Sequence, residues 1–296
     1  MDAYPEVVTG GTPVPGAWPA FAARFAGLRE VHGPLVFGLD PAGQLLEDWG
    51  LGDTAEGLER FVDVAVAAAA GSVAVVKPQS AFYERHGWPG IRALARLVTE
   101  CRSADVLVLL DAKRGDVGST NEAYADAYLG EGASLQVDAL TVTPYLGFAA
   151  LRSIFERAAS AGASIFVVTR SSNPEGRPLQ QAHLRDGRSV EQHLLSEIEI
   201  ENMRLSCEDI GPIGAVIGPG HGALEDVDLC AVRGLFLAPG LGAQGAGVDD
   251  VVACFGDCPD RVLPSASRSL LSVGPKVDAM KQAIADLNGS LRRALA

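Results

Sequence analysis

An apolar run passes directly into a charged turn at Val106-Leu107-Val108-Leu109-Leu110-Asp111-Ala112-Lys113-Arg114-Gly115-Asp116. A continuous apolar run, rather than one that alternates with polar residues, is typical of a parallel strand buried on both faces. Polar residues begin where such a strand leaves the core. The sequence therefore predicts a buried strand whose carboxyl end carries acidic and basic side chains in alternation.

The same kind of apolar run recurs along the chain and gives eight runs in all. The other seven are Leu35–Leu39, Val73–Val76, Ala139–Val142, Ile165–Val168, Ala215–Ile217, Leu235–Ala238 and Val262–Ser265. Most successive runs end roughly 20 to 40 residues apart, which leaves room for one crossover helix between neighbours. Eight such units in 296 residues predict a single-domain α/β protein, a (β/α)8 TIM barrel. An open, doubly wound sheet is the alternative that this pattern leaves open.

Capping residues predict where several helices begin and end. The stretches Asp53-Thr54-Ala55-Glu56 and Ser119-Thr120-Asn121-Glu122 have the spacing of capping boxes, and the first opens a helix that runs to about Ala70. A third helix is predicted within the amphipathic segment Phe148–Ala161, with Gly162 as its C-cap.

Two regions are longer than the minimal repeat requires. Residues 1–34 form an N-terminal extension, in which Trp18–Leu28 is predicted to be a short helix that closes the barrel floor. Residues 173–211 follow strand five, and their polar, turn-rich first half is interpreted as a loop or lid before a helix. No composition shift marks a linker, so residues 1–296 are interpreted as one domain.

Composition and charge exclude several classes of protein. The formal net charge of −13 argues against a nucleic-acid or anionic-membrane partner. Five cysteines without zinc-like spacing indicate reduced thiols rather than a disulfide scaffold. The N-terminus lacks the features of a signal peptide, and the longest Ala/Val run, Val62–Ala70, is too short to span a bilayer. These features predict a soluble cytoplasmic protein.

Candidate site residues follow the predicted strands, because active sites of these barrels lie at the carboxyl ends of the strands. Asp40, Lys77 and Asp111 directly follow the first three apolar runs. A single charge there can simply mark where a strand meets water. The turn from Asp111 to Asp116 is harder to explain in that way. Strand alternation is expected to place Asp111 and Lys113 on one side, and Gly115 lets the chain turn so that Asp116 returns near the same space.

A phosphate site is predicted in the loops that follow strands seven and eight. Pro239-Gly240-Leu241-Gly242-Ala243-Gln244-Gly245 follows strand seven, and Ser267-Arg268 follows strand eight. Backbone N–H groups of such a loop can bind an anion, and a guanidinium can bind two of its oxygens.

These stretches together resemble the orotidine 5′-phosphate decarboxylase family. The segment from Asp111 to Thr120 is similar to its signature, Asp-x-Lys-x-x-Asp followed by Gly-Ser/Thr-Thr. The resemblance covers about Leu35 to Leu271, and the long N-terminus with the motifs Lys77–Glu84 and Ser171–Pro174 resembles the longer bacterial branch. One departure is strand six, which ends in Ile217-Gly218-Pro219-Gly220 where a Val-Gly-Ala-Thr-like end is expected.

The resemblance implies decarboxylation of orotidine 5′-monophosphate to UMP, the last step of de novo pyrimidine biosynthesis, without a metal or organic cofactor. It implies that Lys113 protonates C6 and that Asp111 faces the substrate carboxylate. It also implies a homodimer in which one subunit completes the site of the other. The remaining implied roles are ribose binding by Asp40 and Lys77, contact with the partner subunit's site by Asp116 and Thr120, pyrimidine recognition by Ser172, and phosphate binding by Gln244 and Arg268.

Three other functions remain as alternatives at this point. A 3-keto-hexulose-phosphate decarboxylase or synthase of the same superfamily carries a similar motif but uses Mg²⁺, and the basic context of Lys113 and Arg114 favours the nucleotide enzyme. A Schiff-base aldolase would use Lys77 or Lys113. A catalytically inactive nucleotide-binding barrel is disfavoured by the intact set of Asp111, Lys113 and Asp116.

Overall fold

Parallel strands close into a barrel in chain order, with each strand paired to the next and β8 paired to β1. The computed structural model describes residues 20–205, 209–221, 228–242 and 245–296. The strands are Val36–Leu39 (β1), Val75–Pro78 (β2), Leu107–Arg114 (β3), Ala139–Val142 (β4), Ser164–Arg170 (β5), Ile213–Ile217 (β6), Phe236–Pro239 (β7) and Val262–Ala266 (β8). The predicted (β/α)8 barrel is confirmed, and the open sheet is wrong.

Helices surround the barrel and connect successive strands. They are Phe21–His32 (α1), Gly43–Asp48 (α2), Ala55–Ala69 (α3), Ser80–Glu84 (α4), Gly87–Ser103 (α5), Ser119–Tyr128 (α6), Arg152–Ala161 (α7), Arg177–Gln180 (α8), Val190–Leu205 (α9), Val248–Phe255 (α10), Arg268–Leu271 (α11) and Val277–Ala294 (α12). Short 3-10 turns lie at Phe148–Leu151, Pro174–Gly176, Pro219–His221, Leu229–Ala231 and Pro259–Arg261. No described helix has both the length and the apolar character needed to cross a lipid bilayer.

Two helix starts differ from the predicted capping boxes. Thr54 rather than Asp53 caps α3, and its Oγ1 accepts a hydrogen bond from Gly57 N at 3.1 Å. The Asp53 carboxylate instead pairs with Arg85. α6 begins after Gly118, which has no side chain to cap the helix, and Asn121 Oδ1 accepts from Asp116 N just before it. The predicted C-cap of α7 is confirmed, since Gly162 adopts the left-handed conformation there.

The apolar side chains form two layers, one between the strands and helices and one inside the barrel. Strands β1, β2 and β4 are buried along their whole length, as the continuous apolar runs predict. The inner layer includes Phe166, Leu237 and Leu263. Burial of each such side chain contributes roughly 1.5–3 kcal/mol, so these layers fix the strand ends against one another.

The floor of the barrel is closed by α1. Its residues Phe21 and Phe25 are buried and stack with ring centroids 6.3 Å apart, and Phe21 meets Phe166 edge-on at 6.1 Å. The helix begins at Phe21 rather than at Trp18, which lies outside the described residues. The apolar face of α1 therefore packs into the barrel end opposite the predicted site.

The segment after β5 contains a 3-10 turn, α8 and α9, with a bridge between His183 and Ser189 before α9. Its first part is tied to the barrel because Ser171 N donates to Gln180 Oε1 at 3.1 Å. Residues 206–208, within the predicted 173–211 segment, lie outside the described part of the chain. Closure of this segment over a ligand stays a prediction.

Candidate active site

A cavity of about 750 Å³ opens at the carboxyl ends of the strands, which is within the usual size range of small-molecule sites. Its wall includes predicted residues from five strand ends. These are Asp40, Lys77, Asp111, Lys113, Ser172 and Arg268. Val168, Val216 and Leu237 from the inner layer line it as well. The fold thus gathers charged groups from distant parts of the chain around one partly apolar cavity.

The Asp111 carboxylate is the most heavily hydrogen-bonded group of the cavity. Its Oδ1 accepts from Lys113 Nζ at 2.6 Å and from Thr141 Oγ1 at 2.9 Å. Its Oδ2 accepts from Lys77 Nζ at 3.2 Å and from Gln79 Nε2 at 3.1 Å. Each carboxylate oxygen therefore has one charged and one neutral donor.

Charge and burial shift the pKa values of this cluster. Burial alone would raise the pKa of Asp111, but the charges of Lys77 and Lys113 and the hydrogen bonds from Lys113 and Thr141 lower it to about 2. Burial alone would lower the pKa of Lys77, but Asp40 and Asp111 outweigh it and the pKa is raised. Asp111 and Lys77 are consequently both charged at neutral pH.

The two lysines of the cluster differ in exposure. The Lys77 side chain is 7% exposed, whereas the Lys113 side chain is 50% exposed. Lys77 is thus fixed among protein groups, and Lys113 retains access to a ligand in the cavity. This difference favours Lys113 over Lys77 as a group that transfers a proton.

The backbone at Lys113 is not that of a regular strand. Lys113 has φ of 47°, and the pairing of β3 with β4 shifts register between Leu110 and Arg114. Asp111 and Lys113 do meet, as predicted, but plain strand alternation is not the reason. A left-handed residue within a bulge aims the lysine back toward the carboxylate.

Arg114 ties this bulge to two helices. Its guanidinium pairs with Glu84 of α4 and lies over the rings of Tyr124 and Tyr128 of α6. Ser80 Oγ donates to the same Glu84 oxygen at 2.6 Å. The residue following Lys113 is thus anchored on the outer side of the cavity.

Asp40 and the β6 loop complete this side of the cavity. Asp40 Oδ1 is buried and has no hydrogen-bond partner among the described residues. Gly218 of the departing Ile217-Gly218-Pro219-Gly220 motif lies against the Ser172 backbone, where a Cβ would approach Ser172 Cα to 2.7 Å. The end of β6 therefore packs against the segment that carries Ser172, through the glycine that the two motifs share.

The predicted phosphate side is described only in part. Gly240, Leu241, Ser267 and Arg268 line the cavity, so the β7 and β8 loops meet as predicted. Ser267 Oγ is buried and without a hydrogen-bond partner among the described residues. Gln244 lies outside the described residues, and its predicted role stays a prediction.

The expected return of Asp116 toward Asp111 and Lys113 stays a prediction. Neither Asp116 nor Thr120 belongs to the wall of the cavity in the described part of the chain. Asp116 N donates to Asn121 Oδ1 at 2.9 Å, and the Asp116 carboxylate accepts from Val117 N at 2.8 Å. These contacts fix Asp116 locally, and its predicted role in the partner's site stays a prediction.

Sequence reasoning missed two residues of the Asp111 cluster, Gln79 and Thr141. Both are neutral and occur in ordinary strand-end contexts, so charge patterning does not reveal them. Gln79 could have been found from its spacing. It lies two residues after Lys77, just past the end of β2, and β2 pairs with the strand that carries Asp111. Thr141 carries no comparable signal within the apolar run of β4.

Comparison with known proteins places this geometry in a family. A sequence model of the orotidine 5′-phosphate decarboxylase / HUMPS family matches residues 33–282. The chain belongs to this family. The orotidine 5′-phosphate decarboxylases of Salinispora tropica and Myxococcus xanthus are each 46% identical to it, over 276 and 269 residues. These alignments cover 93% and 89% of this chain and 98% and 92% of the two relatives.

Solved structures agree with membership of the orotidine 5′-phosphate decarboxylase family. A candidate orotidine 5′-phosphate decarboxylase from Streptomyces avermitilis has a TM-score of 0.89 and 44% identity, covering 94% of this chain and 97% of that chain. The OMP decarboxylase of Leishmania donovani has a TM-score of 0.70 and 25% identity, covering 92% and 99%. The family resemblance inferred from the strand ends is therefore confirmed.

Proposed function

We propose that this protein is a carboxy-lyase that converts orotidine 5′-monophosphate to UMP in de novo pyrimidine biosynthesis. The observation that carries the proposal is the Asp111–Lys113 contact of 2.6 Å at the mouth of the cavity. It provides a fixed negative charge and a partly exposed proton donor side by side. Family membership and the 46% identity to named decarboxylases support the same reaction.

The proposed chemistry uses the charges of this cluster. The bond between C6 and the substrate carboxylate breaks, CO2 leaves, and the electron pair stays on C6. Lys113 Nζ stabilises the developing negative charge and then gives C6 a proton, which yields UMP and a neutral lysine. Asp111, which is ionised, faces the departing carboxylate and disfavours the bound substrate by like-charge repulsion.

Binding at a distance from C6 supports this chemistry. Arg268 and Gln244 bind the phosphate, Asp40 and Lys77 bind the ribose hydroxyls, and Ser172 binds the pyrimidine edge. The buried, unpartnered Asp40 Oδ1 fits a role as acceptor from a hydroxyl. Binding energy from these remote groups holds the base against Lys113 and lowers the barrier.

We further propose a cytoplasmic homodimer in which Asp116 and Thr120 reach the partner's site. Val117, Tyr145 and Leu146 are large apolar residues exposed beside Asp116. Their loops are adjacent, since Thr143 N donates to Arg114 O at 2.8 Å. Exposed apolar side chains next to Asp116 support subunit contact at this position.

Decay of orotidylate absorbance with purified protein tests the reaction. We expect UMP and CO2 in a 1:1 ratio, with the same rate before and after treatment with EDTA. Turnover of a 3-keto-hexulose phosphate but not of orotidylate, abolished by EDTA and restored by Mg²⁺, would indicate the metal-dependent sugar-phosphate chemistry of the same superfamily. No turnover by folded protein that binds UMP would identify a non-catalytic nucleotide-binding barrel.

A further inference from the structure

Thr141 uses its whole hydrogen-bonding capacity on the catalytic turn. Its Oγ1 donates to Asp111 Oδ1 at 2.9 Å and accepts from Ala112 N and Lys113 N, each at 3.0 Å. A hydroxyl has one proton to donate and two lone pairs, so no capacity remains. Thr141 is 1% exposed and lies at the end of β4, a rigid strand of the barrel. One side chain thus fixes both the carboxylate and the backbone that presents Lys113.

Gln79 acts on the other oxygen of the same carboxylate. Its Nε2 donates to Asp111 Oδ2 at 3.1 Å, beside the Lys77 contact of 3.2 Å. A backbone bridge between Gln79 and Asp111 extends the pairing of β2 and β3 at this point. The amide therefore holds the carboxylate against rotation without adding charge.

We propose that Thr141 and Gln79 are positioning residues that orient the Asp111 carboxylate and the Lys113 turn for decarboxylation. The proposal rests on the proposed function and goes beyond it by naming two neutral residues outside the charged set. Without them the two lysines alone would hold the carboxylate, and the contact of Lys113 with Asp111 weakens when Lys113 gives its proton to C6 and becomes neutral. Neutral donors remain in place during that step and keep Asp111 from turning.

The charged groups around Asp111 determine how its pKa changes when Gln79 is replaced by an acid. Lys77 faces it from β2, Lys113 from its own strand, and Asp40 of the neighbouring β1 end interacts with Lys77. Replacement of Gln79 by Glu puts a second acid against Asp111 Oδ2. The two acids then compete for a proton, so activity is expected to fall at a higher pH than in the wild type.

The test measures kcat, KM, UMP affinity and the pH profile of four variants. Thr141→Val is expected to lower kcat about 10- to 100-fold with UMP affinity within about threefold, because it removes one hydrogen bond to a charged group and two to the turn. Thr141→Ser keeps the hydroxyl and is expected to retain most of kcat. Gln79→Leu is expected to lower kcat by about tenfold, and Gln79→Glu to move the acid limb of the profile upward by about one pH unit.

Two matched controls separate positioning from folding. Thr169→Val removes a buried threonine hydroxyl on β5 that donates to Val167 O, outside the cavity wall. Gln282→Glu alters an amide that donates to Asp286 on the far helix α12. Neither control is expected to change kcat or the pH profile, whatever it does to stability.

Several outcomes would overturn the inference while leaving the proposed function intact. One such outcome is that the wild-type protein releases CO2 and that Thr141→Val and Gln79→Leu both have unchanged kcat. Equal losses of kcat in Thr141→Val and Thr169→Val would assign Thr141 a structural role. If Thr141→Val does not fold, unchanged kcat in Gln79→Leu with an unmoved acid limb in Gln79→Glu overturns the proposal. Wild-type protein without turnover rejects the proposed function instead.

Discussion

Two carboxylates face the same cavity from neighbouring parts of the barrel, and they are held in opposite ways. Asp111 has four side-chain donors distributed over its two oxygens. Asp40 has a buried Oδ1 with no hydrogen-bond partner among the described residues. Buried acceptors are rarely left unpaired in folded proteins without a functional reason. Asp111 is therefore complete before a ligand arrives, whereas Asp40 has capacity left for one.

The difference separates preorganised chemistry from recognition. A carboxylate fixed by surrounding donors presents a constant charge to the reacting atoms and needs no rearrangement during the reaction. An unpaired acceptor gains its hydrogen bond only when substrate binds, so its contribution appears in affinity and orientation. Substitutions around Asp111 and around Asp40 can test whether the first group serves the chemical step and the second serves substrate recognition.

The largest expected effect on kcat is at Lys113, in the fully hydrogen-bonded cluster around Asp111. Lys113→Ala should lower kcat by about 1000-fold or more, because both charge stabilisation and proton donation are lost. UMP binding should remain. Lys113→Asn is the matched variant, since Asn tolerates the left-handed backbone at this position. Single-turnover assays and UMP titration measure the two quantities. More than a few per cent of activity in both variants would mean that another group protonates C6.

A smaller effect is expected at Arg268, in the predicted phosphate site. Arg268→Ala should raise KM and also lower kcat, with kcat/KM reduced by about 100-fold, because phosphate binding energy is used partly in the transition state. Steady-state kinetics with orotidylate test this. Arg293→Ala, an arginine on α12 away from the cavity, serves as the control and should behave as wild type. Unchanged kinetics for Arg268→Ala would remove it from the phosphate site.

The Asp40 side of the comparison can be sharpened with altered substrates. Asp40→Asn should lower kcat/KM by about tenfold, because the ribose hydroxyl loses a charged acceptor. Substrate analogues lacking the 2′- or 3′-hydroxyl should be poorer substrates of wild-type protein. One of them should lose no further efficiency with Asp40→Asn. If the penalties of variant and analogue multiply for both analogues, Asp40 does not accept from either hydroxyl.

Asp116 extends the comparison to a carboxylate that does not line the cavity in the described part of its own chain. Inactive Lys113→Ala and Asp116→Ala proteins are mixed in equal amounts and allowed to exchange subunits. Half of the dimers are then mixed, each with one intact site of two, so about a quarter of wild-type activity should return. Native mass spectrometry of labelled subunits checks the exchange. Exchange without regained activity would place Asp116 within its own subunit's function.

The smallest expected effect is on stability in acid. The pKa of Asp111 is lowered from its ordinary 3.8 to about 2, so Asp111 stabilises the fold above about pH 4 and loses that contribution as pH falls toward 2. The full contribution is about 2 kcal/mol, and about half is lost by pH 3. Urea unfolding at pH 5 and pH 3 should show a smaller decrease for Asp111→Asn than for wild type. Equal decreases would show that Asp111 is not held as its contacts indicate.

The raised pKa of Lys77 adds no slope in that acid range. A raised lysine pKa stabilises the fold at every pH below its ordinary value of 10.5 and loses that contribution only above it. The cluster therefore favours a broad plateau between the acid and alkaline limits. Any slope near pH 7 must come from other groups.

The sequence predicted the barrel and most of the cavity wall because both depend on local pattern. Apolar runs mark the strands, and the topology of parallel strands brings the residues after them to one end. It did not predict the positive φ at Lys113 or the role of Thr141. Both depend on a contact between β3 and β4 that hydrophobic pattern does not encode.

Helix starts were less predictable for a related reason. Asp53 and Thr54 are both favoured cap residues, and Asp ranks somewhat higher by residue type. The choice falls to Thr54 because Arg85, more than thirty positions away, takes the Asp53 carboxylate. At Asp116 the amide of Asn121 fixes the chain, because its Oδ1 accepts from Asp116 N. Such outcomes are decided by tertiary partners.

The closed floor of the barrel has a consequence for how substrate enters and products leave. Phe21, Phe25 and Phe166 fill the lower end of the barrel, so the cavity communicates with solvent at its upper end. Among the described residues, substrate entry and product exit then share the opening at the carboxyl ends of the strands. CO2 released beside Asp111 must pass the bound nucleotide or wait for it to leave. CO2 is small and apolar and can pass the bound nucleotide, whereas UMP is large and charged. We therefore expect CO2 to leave first and UMP to leave second.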